Sequence, residues 1–90
     1  MTKICKKAWV TGRVQGVWFR GSTQLKAVQL GVSGYAYNLP DGRVEVVMCG
    51  DSQAVNTLEA WLSKGPPMAD VQHIEVSEIP WEDYHEFGVR

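Results

Sequence analysis

No stretch of the 90-residue chain approaches the roughly 20 apolar residues that a bilayer-spanning helix needs. The first residues, Met1-Thr2-Lys3-Ile4-Cys5-Lys6-Lys7, lack the apolar run of a secretory signal. No membrane partner is expected, and a soluble cytoplasmic protein is. An excess of charge of one sign is also missing: nine Lys and Arg stand against ten Asp and Glu, for a net charge of -1. Without a basic surplus the general attraction to a phosphate backbone is weak, so no nucleic-acid partner is expected and any anion must be held locally. Histidine and cysteine number two each. Cys5 and Cys49 are far from zinc-knuckle spacing and have no histidine at ligand distance along the chain. His73 and His85 fall in separate segments and read as partly exposed strand residues. Neither a metal nor a cofactor is expected.

What remains is ordinary globular composition, 44% hydrophobic and 21% charged. A chain of this length buries only about 60 to 65 per cent of its unfolded surface, so residues 1–90 are read as a single domain with one core and one site. Ile4 to Gly12 alternates as a strand, with Ala8 and Val10 on one face and Cys5, Lys7, Trp9 and Thr11 on the other. Gly12-Arg13-Val14-Gln15-Gly16 interrupts it. A helix is predicted from about Gly21 to Leu30, facing inward through Leu25, Val28 and Leu30 and stopped by Gly31. Gly34 to Leu39 and Arg43 to Gly50 read as strands of a hairpin turned by Pro40-Asp41-Gly42. In the second of these Val44, Val46 and Met48 share one face, and Glu45, Val47 and Cys49 share the other, wetter one.

A second helix is predicted from an N-cap at Ser52, with Val55, Leu58, Trp61 and Leu62 at helical spacing until Gly65-Pro66-Pro67. Val71 to Ile79 alternates again, and Glu86 to Val89 is a candidate short fifth strand. The order βαββαβ is that of an α+β, ferredoxin-like sandwich. It implies one antiparallel sheet in the order 4-1-3-2 with two helices on one face.

Gly12 to Arg20 is the most informative stretch. A glycine-containing loop that runs into a helix N-terminus turns several unpaired N–H groups toward one point, where the helix dipole adds about half a positive charge. Arg20 at its end would add a fixed fork of donors that matches two phosphate oxygens. Spacing alone leaves Arg20 equally open to the role of a solvated arginine at a helix start.

Gly12-Arg13-Val14-Gln15-Gly16-Val17-Trp18-Phe19-Arg20 resembles the first acylphosphatase signature, Gly-x-Val-Gln-Gly-Val-x-Phe-Arg, at every fixed position. Gly34-Tyr35-Ala36-Tyr37-Asn38, followed by Gly42, Val44 and Gly50, resembles the second. The resemblance covers nearly the whole chain. It implies that the amides of Gln15, Gly16, Val17, Trp18, Phe19 and Arg20, with the Arg20 side chain, hold a phosphoryl group while Asn38 orients water. Thr23 matches a threonine common three residues past the family's arginine, where its hydroxyl would support the loop; an ordinary first-turn residue is the alternative. Three positions depart from the family's habit. Trp18 stands where glycine is frequent, Gly21 where a larger residue is common, and Tyr37 where a basic or small residue precedes the asparagine. They bear on rate and substrate preference.

The chemistry fits a site this sparse. An acyl phosphate leaves as a carboxylate, already stable near neutral pH, so no strong general acid is needed. Phosphoryl transfer then asks mainly for positioning and charge stabilisation. The expected activity is hydrolysis of acyl phosphates by a monomer, with inorganic phosphate as product and competitive inhibitor. The competing reading is a non-catalytic ferredoxin-like module for RNA or a small molecule. Arg43-Val44-Glu45-Val46-Val47-Met48-Cys49 opposes its RNA form, because it carries neither the aromatic residues nor the basic setting of an RNA-recognition strand.

Trp61 reads as core. Trp18, inside the loop, is a candidate contact for the acyl portion, with packing or simple exposure as alternatives. Strand parity places Cys5 opposite Cys49 on the helix-free face, at a cross-strand separation within reach of a disulfide. An intramolecular bridge on oxidation is expected. Two unlinked thiols are the alternative in a reducing compartment.

Overall fold

The computed structural model describes residues 2–90. Strand β1 (Lys3–Arg13), helix α1 (Phe19–Leu30), strands β2 (Ser33–Asn38) and β3 (Val44–Asp51), helix α2 (Ser52–Leu62) and strands β4 (Asp70–Ile79) and β5 (Phe87–Val89) follow in that order. The sheet runs β4-β1-β3-β2-β5. The first four strands pair antiparallel, in the predicted order, while β5 pairs parallel to β2. The sheet is therefore mixed. The cause is the connection: residues 80–86 cross from one edge of the sheet to the other, so the chain re-enters in the direction of β2 and no hairpin can form.

Alternation decides which face of each strand meets the helices. Ala8, Val10, Val44, Val46 and Met48 are fully buried beneath the helices, as the parity of β1 and β3 requires. Helix α2 adds Val55, Leu58 and Leu62, and Trp61 packs partly buried against the core with its ring 6.0 Å from that of Phe19. Each such side chain removed from water contributes roughly 1.5 to 3 kcal/mol. The residue flanking α2 is Asp51, one position before the expected Ser52, and no side chain caps the helix.

Helix α1 differs more from expectation. It begins at Phe19, and its buried stripe is Phe19, Thr23 and Ala27, whereas Leu25 and Val28 are exposed. The stripe at four-residue spacing places small side chains where α1 meets α2 and the sheet, and only the terminal Phe19 is large. Leu30 lies partly against the core, as anticipated. Gly31 ends the helix in the left-handed region, φ 71°, with its N–H returning to the last turn.

The helix-free face is drier than its polar residues suggest. Cys5, Val47 and Cys49 form a second buried cluster with Tyr35, Ile79 and Tyr84 around it. The connection after β4 covers them, and the Glu82 amide donates to Cys5 Sγ at 3.3 Å. Cys5 and Cys49 stand directly opposite in the β1–β3 register and are bridged, with Cα atoms 4.1 Å apart. The bridge expected from parity is present.

Candidate active site

Strand β1 runs one residue farther into the first motif than expected, since Arg13 as well as Gly12 pairs with β4. The register slips between Thr11 and Gly12, a bulge that brings the two backbones together. Gly12 has φ 132°, and a Cβ there would collide with the Asp70 carbonyl and the Gln72 amide. Only glycine fits this point, which aims the chain out of the sheet and into the loop. Residues 15–18 then turn, Gly16 with φ 74° and Trp18 with φ 62°, and α1 starts at Phe19.

Among the described residues, the N–H groups of Gln15 to Gly21 donate to no carbonyl or side chain, and the first to be satisfied is that of Ser22, on the Trp18 carbonyl at 3.0 Å. They are the open donors of a tight loop followed by a helix start. Gly16, exposed at the turn, has nothing within 4 Å of where a Cβ would stand. Val17 packs partly on the core and Phe19 is buried within it, anchoring the loop from below.

Gln15 turns its side chain away from this concavity. Its Nε2 donates to the carbonyls of Leu39, at 2.8 Å, and Arg43, at 3.0 Å. These two carbonyls form the neck of the β2–β3 turn, where the Leu39 amide also donates to Arg43 O and the Gly42 amide to Leu39 O. One glutamine thus clasps the loop to the residue that follows Asn38. Across the turn, Asp41 accepts from the amide and the Nε of Arg43. Those bonds, the amide first, hold the exposed Asp41 carboxyl below its ordinary pKa.

Asn38 ends β2 with the parity of Ala36, so it faces α1 and the loop. Its Oδ1 is buried and has no hydrogen-bond partner among the described residues. A buried carbonyl oxygen without a donor loses roughly 1 to 3 kcal/mol, so its place in a folded protein calls for a ligand. Arg20, in the first turn of α1, extends toward the end of the chain, and its Nη1 donates to the Arg90 carbonyl at 2.5 Å. The Arg90 amide in turn donates to Ala36 O, and Gln24 Nε2 donates to Phe87 O at 2.9 Å. Strand β5 therefore ties α1 to β2.

Arg20, Asn38 and the loop converge on one cleft of about 440 Å³, with Gly16, Trp18, Phe19, Gly21, Gln24, Val14 and Val89 as the rest of its lining. Among the described residues Arg20 is its one ionised side chain, and no carboxylate lines it. A guanidinium with no carboxylate side chain beside it, a row of open amides and an orphaned amide oxygen are groups able to receive an anion together with a water or hydroxyl. No group of three His, Cys, Asp or Glu side chains gathers among the described residues.

Thr23 is buried and absent from the cleft lining, and its Oγ1 donates to the carbonyl of the loop residue Phe19 at 2.7 Å, one turn back within α1. The sequence reading missed Gln24, Val89 and the Arg90 carbonyl. Gln24 could have been found, because it stands four residues from Arg20 on the same helical face. Val89 and Arg90 could not, since the pairing partner of β5 is a matter of topology.

The family model described as Acylphosphatase matches residues 6–89. The chain is 58% identical over 74 residues to an acylphosphatase of Chromohalobacter salexigens, covering 82% of each chain. It is 49% identical over 90 residues to one of Legionella pneumophila, covering 99% of each. The solved structure of an acylphosphatase from Coxiella burnetii superposes with a TM-score of 0.94 at 43% identity, over 98% of this chain and 93% of that one. Motifs, fold and relatives agree: the chain belongs to the acylphosphatase family.

Proposed function

We propose that this chain carries out its family's reaction, hydrolysis of the carboxyl–phosphate bond of acyl phosphates to a carboxylate and inorganic phosphate, on three elements: the amides of residues 15–20, the Arg20 guanidinium and the Asn38 side chain. The observation that carries the assignment of residues is the convergence of Gly16, Trp18, Phe19, Arg20 and Asn38 on a cleft in which, among the described residues, Arg20 is the one ionised side chain. The amides and the guanidinium bind the phosphoryl oxygens, displacing the Arg90 carbonyl from Arg20 or sharing the fork with it. Because these donors are fixed before substrate arrives, they stabilise the charge that spreads over the equatorial oxygens in the transition state. Asn38 Oδ1, buried and unpaired, accepts from the attacking water and holds its oxygen toward phosphorus.

The water oxygen forms the new bond to phosphorus, the bond to the acyl oxygen breaks, and its electron pair leaves on the carboxylate. No lining side chain can take a proton at neutral pH, so the proton of the water passes to a phosphoryl oxygen of the substrate. The non-catalytic reading explains neither the orphaned amide nor the family's relatives. The same cradle accepts inorganic phosphate, which acts as product and competitive inhibitor. The protein works as a monomer of one domain in the cytoplasm, and among the described residues no helix is long and apolar enough to cross a membrane.

The test is hydrolysis of benzoyl phosphate in excess EDTA. Wild-type activity should persist. Arg20→Gln should lower kcat/KM by about two to three orders of magnitude, as loss of a preorganised donor does. Asn38→Ala should lower kcat with phosphate inhibition nearly unchanged. Activity abolished by chelation, or an Arg20→Gln effect below about tenfold, would overturn the assignment.

A further inference from the structure

Two residues of the cleft fit each other in a way that binding of phosphate does not require. Trp18 has φ 62° and ψ 30°, the left-handed region in which a Cβ crowds the next carbonyl and glycine sits freely. It is 67% exposed, so burial offsets little of that strain. Beneath it lies Gly21, where a Cβ would collide with Nε1, Cδ1 and Cε2 of the indole. A glycine within the first turn of α1 weakens the helix relative to alanine. The fold carries a strained tryptophan, an exposed apolar surface and a helical glycine together, and none of the three improves packing. Strain retained at the rim of a cleft points to a ligand.

We propose that the Trp18 indole is the platform on which the acyl part of the substrate lies, so that this chain favours acyl phosphates with a flat, apolar acyl group over acetyl phosphate. The inference rests on the reading of the cleft as an acyl phosphate site. Once the amides, Arg20 and Asn38 are engaged by phosphate and water, and with the half-buried Gln24 amide committed to Phe87 O, the exposed side chains left in the lining are apolar: Trp18 and Val89, the latter 42% exposed. A carboxyl-linked ring directed from the phosphate toward the mouth meets these two. The indole is rigid, turned by only two torsions, and Gly21 lets it lie close against the helix start. Offset stacking of two rings then corresponds to a gain of about 2- to 12-fold.

The experiment compares kcat/KM for benzoyl phosphate and acetyl phosphate in the full chain and in Trp18→Gly, Trp18→Phe and Gly21→Ala. Glycine at position 18 keeps the loop backbone, since it adopts this φ without strain. The benzoyl-to-acetyl ratio should fall about 2- to 12-fold in Trp18→Gly. Trp18→Phe should retain most of the preference. Gly21→Ala, which pushes the indole from beneath, should lower the ratio in the same direction. Thermal unfolding of Trp18→Gly should occur no lower than that of the wild type. A ratio unchanged in both Trp18→Gly and Gly21→Ala overturns the inference while leaving the acyl phosphate reading intact. Hydrolysis of neither substrate by the wild-type chain overturns both.

Discussion

Removing the Gln15 side chain at its amide separates the loop from the hairpin without touching the anion site directly. Gln15→Ala deletes two neutral hydrogen bonds, to Leu39 O and Arg43 O, each worth about 0.5 to 1.5 kcal/mol net. Neither carbonyl is orphaned, because Gly42 still donates to the first and Leu39 to the second. The loss should therefore be about 2 kcal/mol, without the added penalty of a buried unsatisfied group. In a domain of this size that lowers the thermal midpoint by roughly 8 to 16 °C. The catalytic effect should be separable from the stability effect. Asn38 immediately precedes Leu39, so an unclasped loop lets the proposed phosphate cradle and the Asn38 amide drift relative to each other, and a displacement near 1 Å can cost about a hundredfold in rate.

Steady-state kinetics well below the transition should then show kcat reduced by about ten- to a hundredfold, with phosphate inhibition changed far less. Gln15→Glu makes a sharper control. An ionised carboxylate has no donor and would face two carbonyl oxygens, so its folded pKa is raised. The variant should be less stable than Gln15→Ala at neutral pH and should recover as pH falls through that raised pKa. Equal thermal midpoints for wild type and Gln15→Ala, together with unchanged kcat, would refute the clasp.

The Cys5–Cys49 bridge closes a loop of sequence separation 44, for which the chain-entropy relation gives about 4 kcal/mol; reductant should lower the urea midpoint by roughly 3 M at an m near 1.3 kcal/mol/M. Two thiols titrated in the unfolded, unreduced protein, or coincident unfolding curves with and without reductant, would contradict it. Tyr35 donates to Glu45 Oε2 at 2.6 Å, and burial first, then this bond, raises its pKa above the ordinary 10.0. Above that value the unfolded chain loses the proton before the folded one does, so stability is full below pH 10.0 and declines as pH rises toward the folded pKa. Tyr35→Phe should flatten the decline, seen as urea midpoints at about pH 8 and about pH 11; a decline of equal size in the variant would exclude Tyr35 as its source.

The fold was legible wherever a periodicity had one interpretation. Strand parity in β1 and β3 placed Ala8, Val10, Val44, Val46 and Met48 in the core, and the same parity brought Cys5 opposite Cys49. Helix α1 was less legible because hydrophobicity and burial part company there. Leu25 and Val28 are the larger apolar residues, yet Thr23 and Ala27 are buried, since the helix is fixed by its anchored start at Phe19 and by the close approach of its neighbours. Thr23 enters the core by satisfying its hydroxyl on the preceding turn, a local bond that a hydropathy count does not see. The cover over Val47 and Cys49 was hidden for a different reason. It comes from residues 79–84, whose path depends on which sheet edge β5 joins.

The site was legible as a motif and incomplete as a mechanism of support. Gly12 to Arg20 and Asn38 carry the two motifs on which the proposed site rests, but the Gln15 clasp, the Gln24–Phe87 bond and the Arg20–Arg90 contact join segments 24 to 70 residues apart. Spacing along the chain cannot show such bonds. The departures from the family's habit behave differently from one another in space. Tyr37 is exposed on the face opposite Asn38 and nothing in the structure connects it to the cleft. Trp18 and Gly21 look like two independent irregularities in the sequence, yet the indole of one occupies the room that the missing side chain of the other leaves. A Cβ at position 21 would meet the indole where it now lies, so a larger residue there must move the ring. The two departures therefore act together: the absent side chain on the helix leaves the aromatic plate its place on the loop, among the residues that line the cleft.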